Sequence, residues 1–196
     1  MKKDLINDLK DILGHEPSED QARFRIVFLL DDFSGSGISY IRKEDDGVSH
    51  KGKIAKFFDE QCKTANSLFN PADMIICLVL YCATRSAKNY LEVIGKEMFG
   101  NIPFYVKPTY VLPDTLKLSY ENQEDAKILE ILPRYYDNAI ETDSYLKGRH
   151  EKPYLGFDEC ALPLVLGHNT PNNSIPLLWF EEKRKVRGLF PRVGRF

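Results

Sequence analysis

Apolar side chains recur along the first part of the chain at spacings typical of one helix followed by buried strands. One helical face near the start is apolar and is formed by Leu5, Ile6, Leu9, Ile12 and Leu13. Gly14 follows this face, which predicts an amphipathic helix that ends at the glycine. Two later runs, residues 24–30 and 74–81, are short, apolar and without alternation. Such runs are typical of strands covered on both faces.

Helical spacing separates the strand candidates. It begins at Ile54 and ends near Asn70. A second helix is predicted after residue 81, with Ser86 as its cap and Gly100 at its end. Prolines interrupt a third apolar run over residues 104–112, which predicts a strand at a sheet edge. This alternation predicts an α/β fold, with a mostly parallel sheet flanked by helices.

The last third of the chain is less regular. Helices are predicted over residues 123–132 and 134–146, and the chain from Lys152 onward is rich in Pro, Gly and Asn. No repeat or domain boundary stands out, so a single domain over residues 1–196 is predicted. It consists of an N-terminal helix and linker (1–22), an α/β core (24–120) and a helical, loop-rich C-terminal part (121–196).

Composition and charge exclude several classes of protein. The formal net charge of the 196 residues is only −2, so nothing global indicates nucleic-acid binding. The first residues lack the apolar core and cleavage site of a signal peptide. No stretch approaches the roughly 18 apolar residues of a membrane span. The four cysteines lack metal-ligand spacing, which predicts reduced, mostly buried thiols in a cytoplasmic protein.

The segment Asp31–Gly37 is the main candidate for a functional site in this sequence. It reads DDFSGSG and directly follows the first apolar run. In open α/β sheets, ligands sit at the carboxyl ends of the strands, where these two acids stand. Glycines expose backbone N–H groups to a phosphate, and the serines add hydroxyl donors. The pattern predicts a phosphate and ribose site, and the plainer alternative is a polar turn that ends a strand.

Residues 26–37 resemble the signature of the phosphoribosyltransferase family, in which apolar residues precede two acids, two variable residues and a small-residue loop ending in glycine. The resemblance implies a glycosyltransferase that binds phosphoribosyl pyrophosphate or a related ribose phosphate with Mg²⁺. Asp31 and Asp32 would be the catalytic acids, contacting the ribose hydroxyls and holding Mg²⁺ indirectly. The implied phosphate-binding residues are Phe33, Ser34, Gly35, Ser36, Gly37, Ile38 and Ser39.

A second stretch narrows the resemblance. Residues 168–179 (HNTPNNSIPLLW) and 189–192 (LFPR) resemble the end of a divergent branch of that family. This branch occurs in bacterial anti-phage conflict systems, some of them linked to retrons, which implies a role in antiviral defence. Together with the α/β pattern, the resemblance covers most of residues 24–192.

Two departures from the family pattern shape the expectations. Only thirty residues precede the acids, where the family has several strands and a pyrophosphate-binding loop. The chain is therefore expected to be a split subunit, a truncated product, or a domain that borrows its missing strands from a partner protein. A charged stretch, residues 42–52, is predicted to be an exposed loop that separates the phosphate loop from its helix. These departures leave open a non-catalytic subunit that senses a nucleotide or forms a complex.

A methyltransferase is the other alternative. Enzymes that methylate DNA amino groups carry a D-P-F-x-G-S-G loop for S-adenosylmethionine, and residues 31–37 differ from it chiefly by Asp32 in place of proline. They also need an acidic residue or asparagine followed by two prolines and an aromatic residue. The stretch Asn169-Thr170-Pro171-Asn172 is a poor substitute for that motif.

Four further residues are candidates for substrate binding. Arg85 follows the second strand and is predicted to reach a phosphate or, equally, to pair with a surface acid. His168 and the adjacent Asn172 and Asn173 offer groups for base recognition, although asparagine pairs are commonly turn formers. Residues 183–196 carry six basic side chains and no acid, which favours a solvated terminus over a nucleic-acid contact.

Overall fold

A computed structural model of the protein describes residues 2–62, 68–140, 151–180 and 189–190. The chain divides into two compact units whose segments interleave along the sequence. The first comprises Met1–Asp32, Gly37–Cys82 and Lys88–Tyr110, and the second comprises Phe33–Ser36, Ala83–Ala87 and Val111–Phe196. The single-domain organisation stays a prediction.

The helices and strands alternate as the spacing predicts. In chain order they are α1 (Lys2–Leu13), β1 (Ile26–Ser34), β2 (Arg42–Lys43), β3 (His50–Lys51), α2 (Lys53–Phe57), β4 (Ile75–Thr84), α3 (Arg85–Phe99), β5 (Phe104–Leu112), α4 (Gln123–Ile131) and α5 (Pro176–Trp179). Three strands form a parallel sheet in the order β1-β4-β5. The predicted α/β class is therefore confirmed, and β5 lies at an edge as its prolines predict.

Helix α3 covers one face of the sheet in the first unit. Leu91 and Ile94 on the helix are buried, as are alternate residues of β4, among them Ile76 and Leu78. A Cβ at Gly95 would overlap the ring of Phe104, so the helix approaches β5 closely only because residue 95 is glycine. This face holds the apolar core that fixes the ends of the strands.

The opposite face of the sheet corrects the expectation of strands covered on both sides. Burial alternates along β1, and Ile26, Phe28 and Leu30 are 51%, 62% and 75% exposed. Tyr81 on β4 and Tyr105 on β5 are also exposed. Unbroken hydrophobicity shows that a strand is apolar on both faces, but not that both faces find a partner within the chain.

Two local expectations in the first unit differ from the structure. The charged stretch after residue 41 is a short antiparallel hairpin of β2 and β3, with Arg42 opposite Lys51. The predicted helix from Ile54 is short: α2 is followed by a π-helical turn at Phe58–Cys62, and residues 63–67 lie outside the described part of the chain. By contrast, Gly14 and Gly100 end α1 and α3 with positive φ, as predicted.

The second unit has its own apolar cluster. The buried members are Leu129, Leu132, Leu155, Ala161 and Ile175. Asn122 caps α4 by accepting hydrogen bonds from the N–H groups of Glu124 and Asp125. The predicted helix over 134–146 appears within the described residues only as a 3₁₀ turn at Asn138–Ile140, and residues 141–150 lie outside them.

The cysteines and helices agree with the compositional expectations. All four cysteines are free, and Cys62, Cys82 and Cys160 are buried. Among the described residues, no helix combines the length and apolarity needed to cross a membrane.

Candidate functional site: an acid-bearing strand and its glycine-serine segment

Asp31 lies inside β1, because the strand continues to Ser34 instead of ending at Leu30 as predicted. Its Oδ2 accepts hydrogen bonds from the Tyr40 hydroxyl at 2.9 Å and from the Lys53 ammonium at 2.6 Å. Its Oδ1 accepts one from the N–H of Asp32 at 2.9 Å. Three donors therefore converge on a single carboxylate, which satisfies an acid that would otherwise be costly to bury.

The donors also decide the charge of Asp31. Partial burial raises the pKa of its carboxyl group, but hydrogen bonds from Lys53, the Asp32 N–H and Tyr40 outweigh that effect and lower the pKa to about 2. The Lys53 ammonium lies 5.0 Å from the centre of the Tyr40 ring, which adds a cation–π contact. Asp31 is consequently a carboxylate throughout the physiological pH range.

The charge of Asp32 influences a cysteine on the neighbouring strand. Burial and the charge of Asp32 together raise the pKa of the Cys82 thiol on β4. That thiol therefore stays protonated and is a poor nucleophile. Asp32 itself is half-buried near the end of β1, where a carboxylate suits hydrogen bonding to a ligand or binding of a hydrated cation.

The chain after the acids turns back to α2 directly. Gly37 has a φ of 87°, a conformation that favours glycine, and its carbonyl accepts hydrogen bonds from the N–H groups of Tyr40 and Ile41. The Ser39 carbonyl accepts one from the N–H of Lys53 at 3.0 Å. The hairpin therefore does not separate the loop from its helix, contrary to expectation, because the two ends of the insertion meet.

In the second unit, Gly35 is held by a threonine. Its carbonyl accepts a hydrogen bond from the Thr84 hydroxyl at 2.6 Å. The same hydroxyl accepts from the N–H of Ala87 at 3.0 Å and so caps α3. Thr84 rather than the predicted Ser86 is thus the cap. The Ser86 hydroxyl instead accepts a hydrogen bond from the Lys117 ammonium at 2.7 Å.

Gly35 also fits tightly against Asn173. A Cβ at position 35 would overlap the Asn173 side chain, so glycine is required here by close approach. The Asn173 amide donates to the Phe157 carbonyl at 3.1 Å and lies 3.3 Å from Cys160 Sγ. Asn173 is buried in these contacts, which give it a positioning role beside Gly35 instead of an exposed base-reading edge.

Burial separates the other predicted phosphate-binding residues into two groups. Phe33 and Ser34 are buried, and Ser34 Oγ has no hydrogen-bond partner among the described residues. Ser36 and Ile38 are half-buried, and Ser39 is exposed. The groups within reach of a ligand are therefore those of the later positions.

The remaining candidates lie in the second unit. Arg85 is the exposed first residue of α3. His168 is exposed in a tight turn closed by hydrogen bonds between the backbones of Leu166 and Asn169. The Asn172 carbonyl accepts from the N–H of Phe157 at 2.7 Å, so its backbone supports the segment that holds Asn173. Residues 183–188 and 191–196, most of the basic tail, lie outside the described residues.

Sequence reasoning missed four polar residues of these contacts: Tyr40, Lys53, Thr84 and Lys117. Each partner lies at least nine positions away along the chain, except for Ser86 and Ala87 beside Thr84. One local signal was present, since Thr84 stands three residues before Ala87 at the strand–helix junction. The others carry no local pattern.

Comparisons with known proteins identify the family to which the chain belongs. No curated protein and no solved structure matches the chain. A model of the PRTase-CE family matches residues 2–192, nearly the whole sequence. This match agrees with the resemblance at residues 26–37 and with the parallel sheet that carries the acids. The chain therefore belongs to the PRTase-CE family, a phosphoribosyltransferase-like family.

Proposed function

We propose that the segment Asp31–Ser39 binds phosphoribosyl pyrophosphate or a related ribose phosphate together with Mg²⁺. The observation that carries the proposal is the ionised Asp31 near the carboxyl end of a parallel strand, followed at once by a segment whose glycines are structurally required. Ligands of open α/β sheets bind at this end of the strands. The family match supports the phosphoribosyltransferase-like character of the site.

The proposed roles follow the chemistry of each group. The carboxylates of Asp31 and Asp32 accept hydrogen bonds from ribose hydroxyls. Backbone N–H groups and the hydroxyls of Ser36 and Ser39 donate to the phosphate. A phosphate takes several such donors at once, so positioning rather than covalent attack is the contribution of these residues.

Mg²⁺ fits the acid pair as a hydrated ion. Among the described residues, no group of three or more His, Cys, Asp or Glu side chains is placed to hold a metal. Mg²⁺ commonly keeps several waters and binds through one or two carboxylates plus substrate phosphates, which suits Asp31 and Asp32. When bound, the ion neutralises negative charge on a leaving pyrophosphate.

In a transfer reaction, an acceptor displaces pyrophosphate from the anomeric carbon of the ribose. Positive charge develops on the ribose as the bond to pyrophosphate weakens. A fixed carboxylate close to the ribose stabilises that charge without having to reorganise, and Asp31 is fixed by three donors. Neither acid serves as a nucleophile.

Calorimetric titration distinguishes this function from the methyltransferase alternative. Phosphoribosyl pyrophosphate with Mg²⁺ and S-adenosylmethionine are titrated separately into the wild-type protein. We expect saturable heat with the first, weakened when Mg²⁺ is removed by a chelator, and none with the second. Preferential binding of S-adenosylmethionine would overturn the proposal.

A non-catalytic binding subunit is the second candidate, and the contacts of Asp31 favour it. Tyr40 and Lys53 hold the Asp31 carboxylate in the strand, which gives this acid a structural role that requires no reaction at the site. An assay for released pyrophosphate decides between the two. Binding without release, with bases, nucleotides and nucleic acid offered as acceptors, identifies a sensor, whereas release identifies a transferase.

A role in bacterial antiviral defence is proposed from the resemblance of residues 168–179 and 189–192. Cells that express the wild-type gene are challenged with a panel of phages, alongside cells that express Asp31→Asn. We expect the variant to lose any protection that the wild type gives. Equal plaque counts with and without the wild-type gene across the panel would remove the support for this role.

A further inference from the structure

A cavity of about 250 Å³ opens in the first unit beside β1. Most of its wall is apolar and comes from Phe28, Leu29, Leu30, Ile54, Phe57 and Leu78. Three polar side chains, those of Asp31, Tyr40 and Lys53, also line it. An apolar concavity with a few convergent polar groups is the usual form of a small-molecule site.

The apolar wall is not closed off by the fold. Phe28 is 62% exposed and Leu30 is 75% exposed, although both line the cavity. The apolar parts of the lining that face the cavity gain free energy when a ligand removes them from water. The volume exceeds that of a single ring system, so a planar or short aliphatic body fits within it.

The polar groups specify the head of the ligand. Asp31 already accepts hydrogen bonds from three donors within the protein, which compensate most of its negative charge. The Lys53 ammonium has three N–H groups, and among the described residues its contacts are Asp31 and the Tyr40 ring. Its side chain is 53% exposed. The group with donors to spare is therefore a cation, which selects an anionic oxygen.

We propose that this cavity binds a small molecule with an apolar body and an anionic head group, whose oxygens accept hydrogen bonds from Lys53. The Asp31–Lys53 pair is neutral overall, so a bound carboxylate is not repelled by net charge and shares the ammonium with Asp31. The cavity shares Asp31 with the ribose-phosphate site proposed above. Binding of the anionic molecule requires neither Mg²⁺ nor a phosphoribosyl donor, so a test without both separates the failure of one proposal from the failure of the other.

Three probes test the site: benzoate, benzyl alcohol and benzylammonium. They share a phenyl ring and differ in the charge of the polar head group. Each is added to the full-length protein without Mg²⁺ or donor, and binding is measured by ligand-observed NMR and calorimetry. We expect benzoate to bind about tenfold more tightly than benzyl alcohol, since hydrogen bonds to charged groups are the stronger ones, and benzylammonium not to bind. Equal binding of all three, or no binding of benzoate, would overturn the proposal.

Matched variants assign the binding to this cavity. Lys53→Met keeps most of the length of the side chain without its charge and is expected to reduce benzoate binding to the level of benzyl alcohol. Lys56→Met, on the same helix, is the control and is expected to leave binding unchanged, because Lys56 does not line the cavity. Equal effects of the two variants would show that benzoate responds to surface charge and not to this site.

A second pair of variants tests the apolar wall. Leu30→Trp places a larger side chain at an exposed position of the cavity rim and is expected to weaken benzoate binding. Val93→Trp is the control, since Val93 is 70% exposed and lies on α3 away from the lining. Both positions are exposed, so neither change disturbs the core. Unchanged binding in Leu30→Trp would contradict the assigned location.

Discussion

The Asp31 carboxyl group stays ionised because three donors within the protein form hydrogen bonds to it and lower its pKa. Lys53, Tyr40 and the N–H of Asp32 each donate to it. The pattern of an apolar run followed by two acids predicted a ligand site at these acids. It did not reveal their partners, because Lys53 lies 22 positions along the chain from Asp31 and no local spacing links the two.

The lowered pKa of Asp31 predicts a pH-dependent contribution to stability. A carboxyl group whose pKa falls from 3.8 to about 2 on folding stabilises the protein above 3.8 and loses that contribution as the pH drops to about 2. At about pH 6 we expect Lys53→Met to lower the free energy of unfolding by about 0.5–1 kcal/mol, because Lys53 is half exposed and solvent screens the pair.

Urea unfolding of wild type and Lys53→Met across this pH range provides the measurement. The difference between the two proteins is expected to shrink between about pH 4 and pH 2. Lys56→Met, which removes an exposed pair with Glu60, serves as the control with little effect at any pH. A difference that stayed constant to the lowest pH would show that Lys53 stabilises through packing alone.

The contact between Gly35 and Asn173 predicts a compensating pair of substitutions. Gly35→Ala introduces a Cβ that overlaps Asn173, and overpacking of this kind costs about 1–3 kcal/mol. Asn173→Ala leaves the Phe157 carbonyl without its donor and costs about 1–3 kcal/mol. In the double variant the overlap is gone, so the summed cost is expected to fall short of additivity by about 1 kcal/mol.

Chemical denaturation of the four proteins completes this cycle. Strict additivity would mean that the Cβ introduced at position 35 does not meet the Asn173 side chain. The sequence showed glycine and asparagine at these positions but not their contact, because they lie 138 positions apart along the chain and the segment at Phe157 that orients Asn173 has no recognisable local pattern.

At the scale of elements, hydrophobic periodicity predicted which helices and strands exist better than it predicted where they begin and end. Strand β5 has the predicted bounds, and α1 ends at the predicted glycine. Strand β1 is longer than predicted because its acids find partners and can remain in the strand. The hairpin of β2 and β3 was missed because each strand has two residues, too few for alternation to show.

The capping of α3 gives a prediction at this scale. Thr84→Ala removes both the cap of Ala87 and the donor to Gly35, and we expect a loss of about 1–2 kcal/mol in the free energy of unfolding. Ser86→Ala, the control, is expected to cost no more than about 0.5 kcal/mol, because Ser86 is not the cap. Thermal or urea denaturation of both variants measures the losses, and a larger loss in Ser86→Ala would reverse the assignment.

For the whole molecule, the fold class was predictable because strands and helices alternate in the order that a parallel sheet requires. The exposed face of the sheet was not predictable from the sequence. Phe28 and Leu30 on that face are exposed, although their residue types are as hydrophobic as those of the buried core. The predicted partner protein, the cytoplasmic location and the contacts of residues 183–196 stay predictions. The family match over residues 2–192 fixes the phosphoribosyltransferase-like family, and the ribose-phosphate ligand rests on the segment Asp31–Ser39.

Substitution of Asp31 and Asp32 is the most direct test of ribose-phosphate binding. The binding isotherm of phosphoribosyl pyrophosphate with Mg²⁺ is measured for the wild type and for Asp31→Asn/Asp32→Asn, with Asp59→Asn as a control at an exposed acid of the same unit. We predict saturable binding to the wild type and the control, and at least about a tenfold weakening in the double variant. Undiminished binding to a folded double variant would contradict the account.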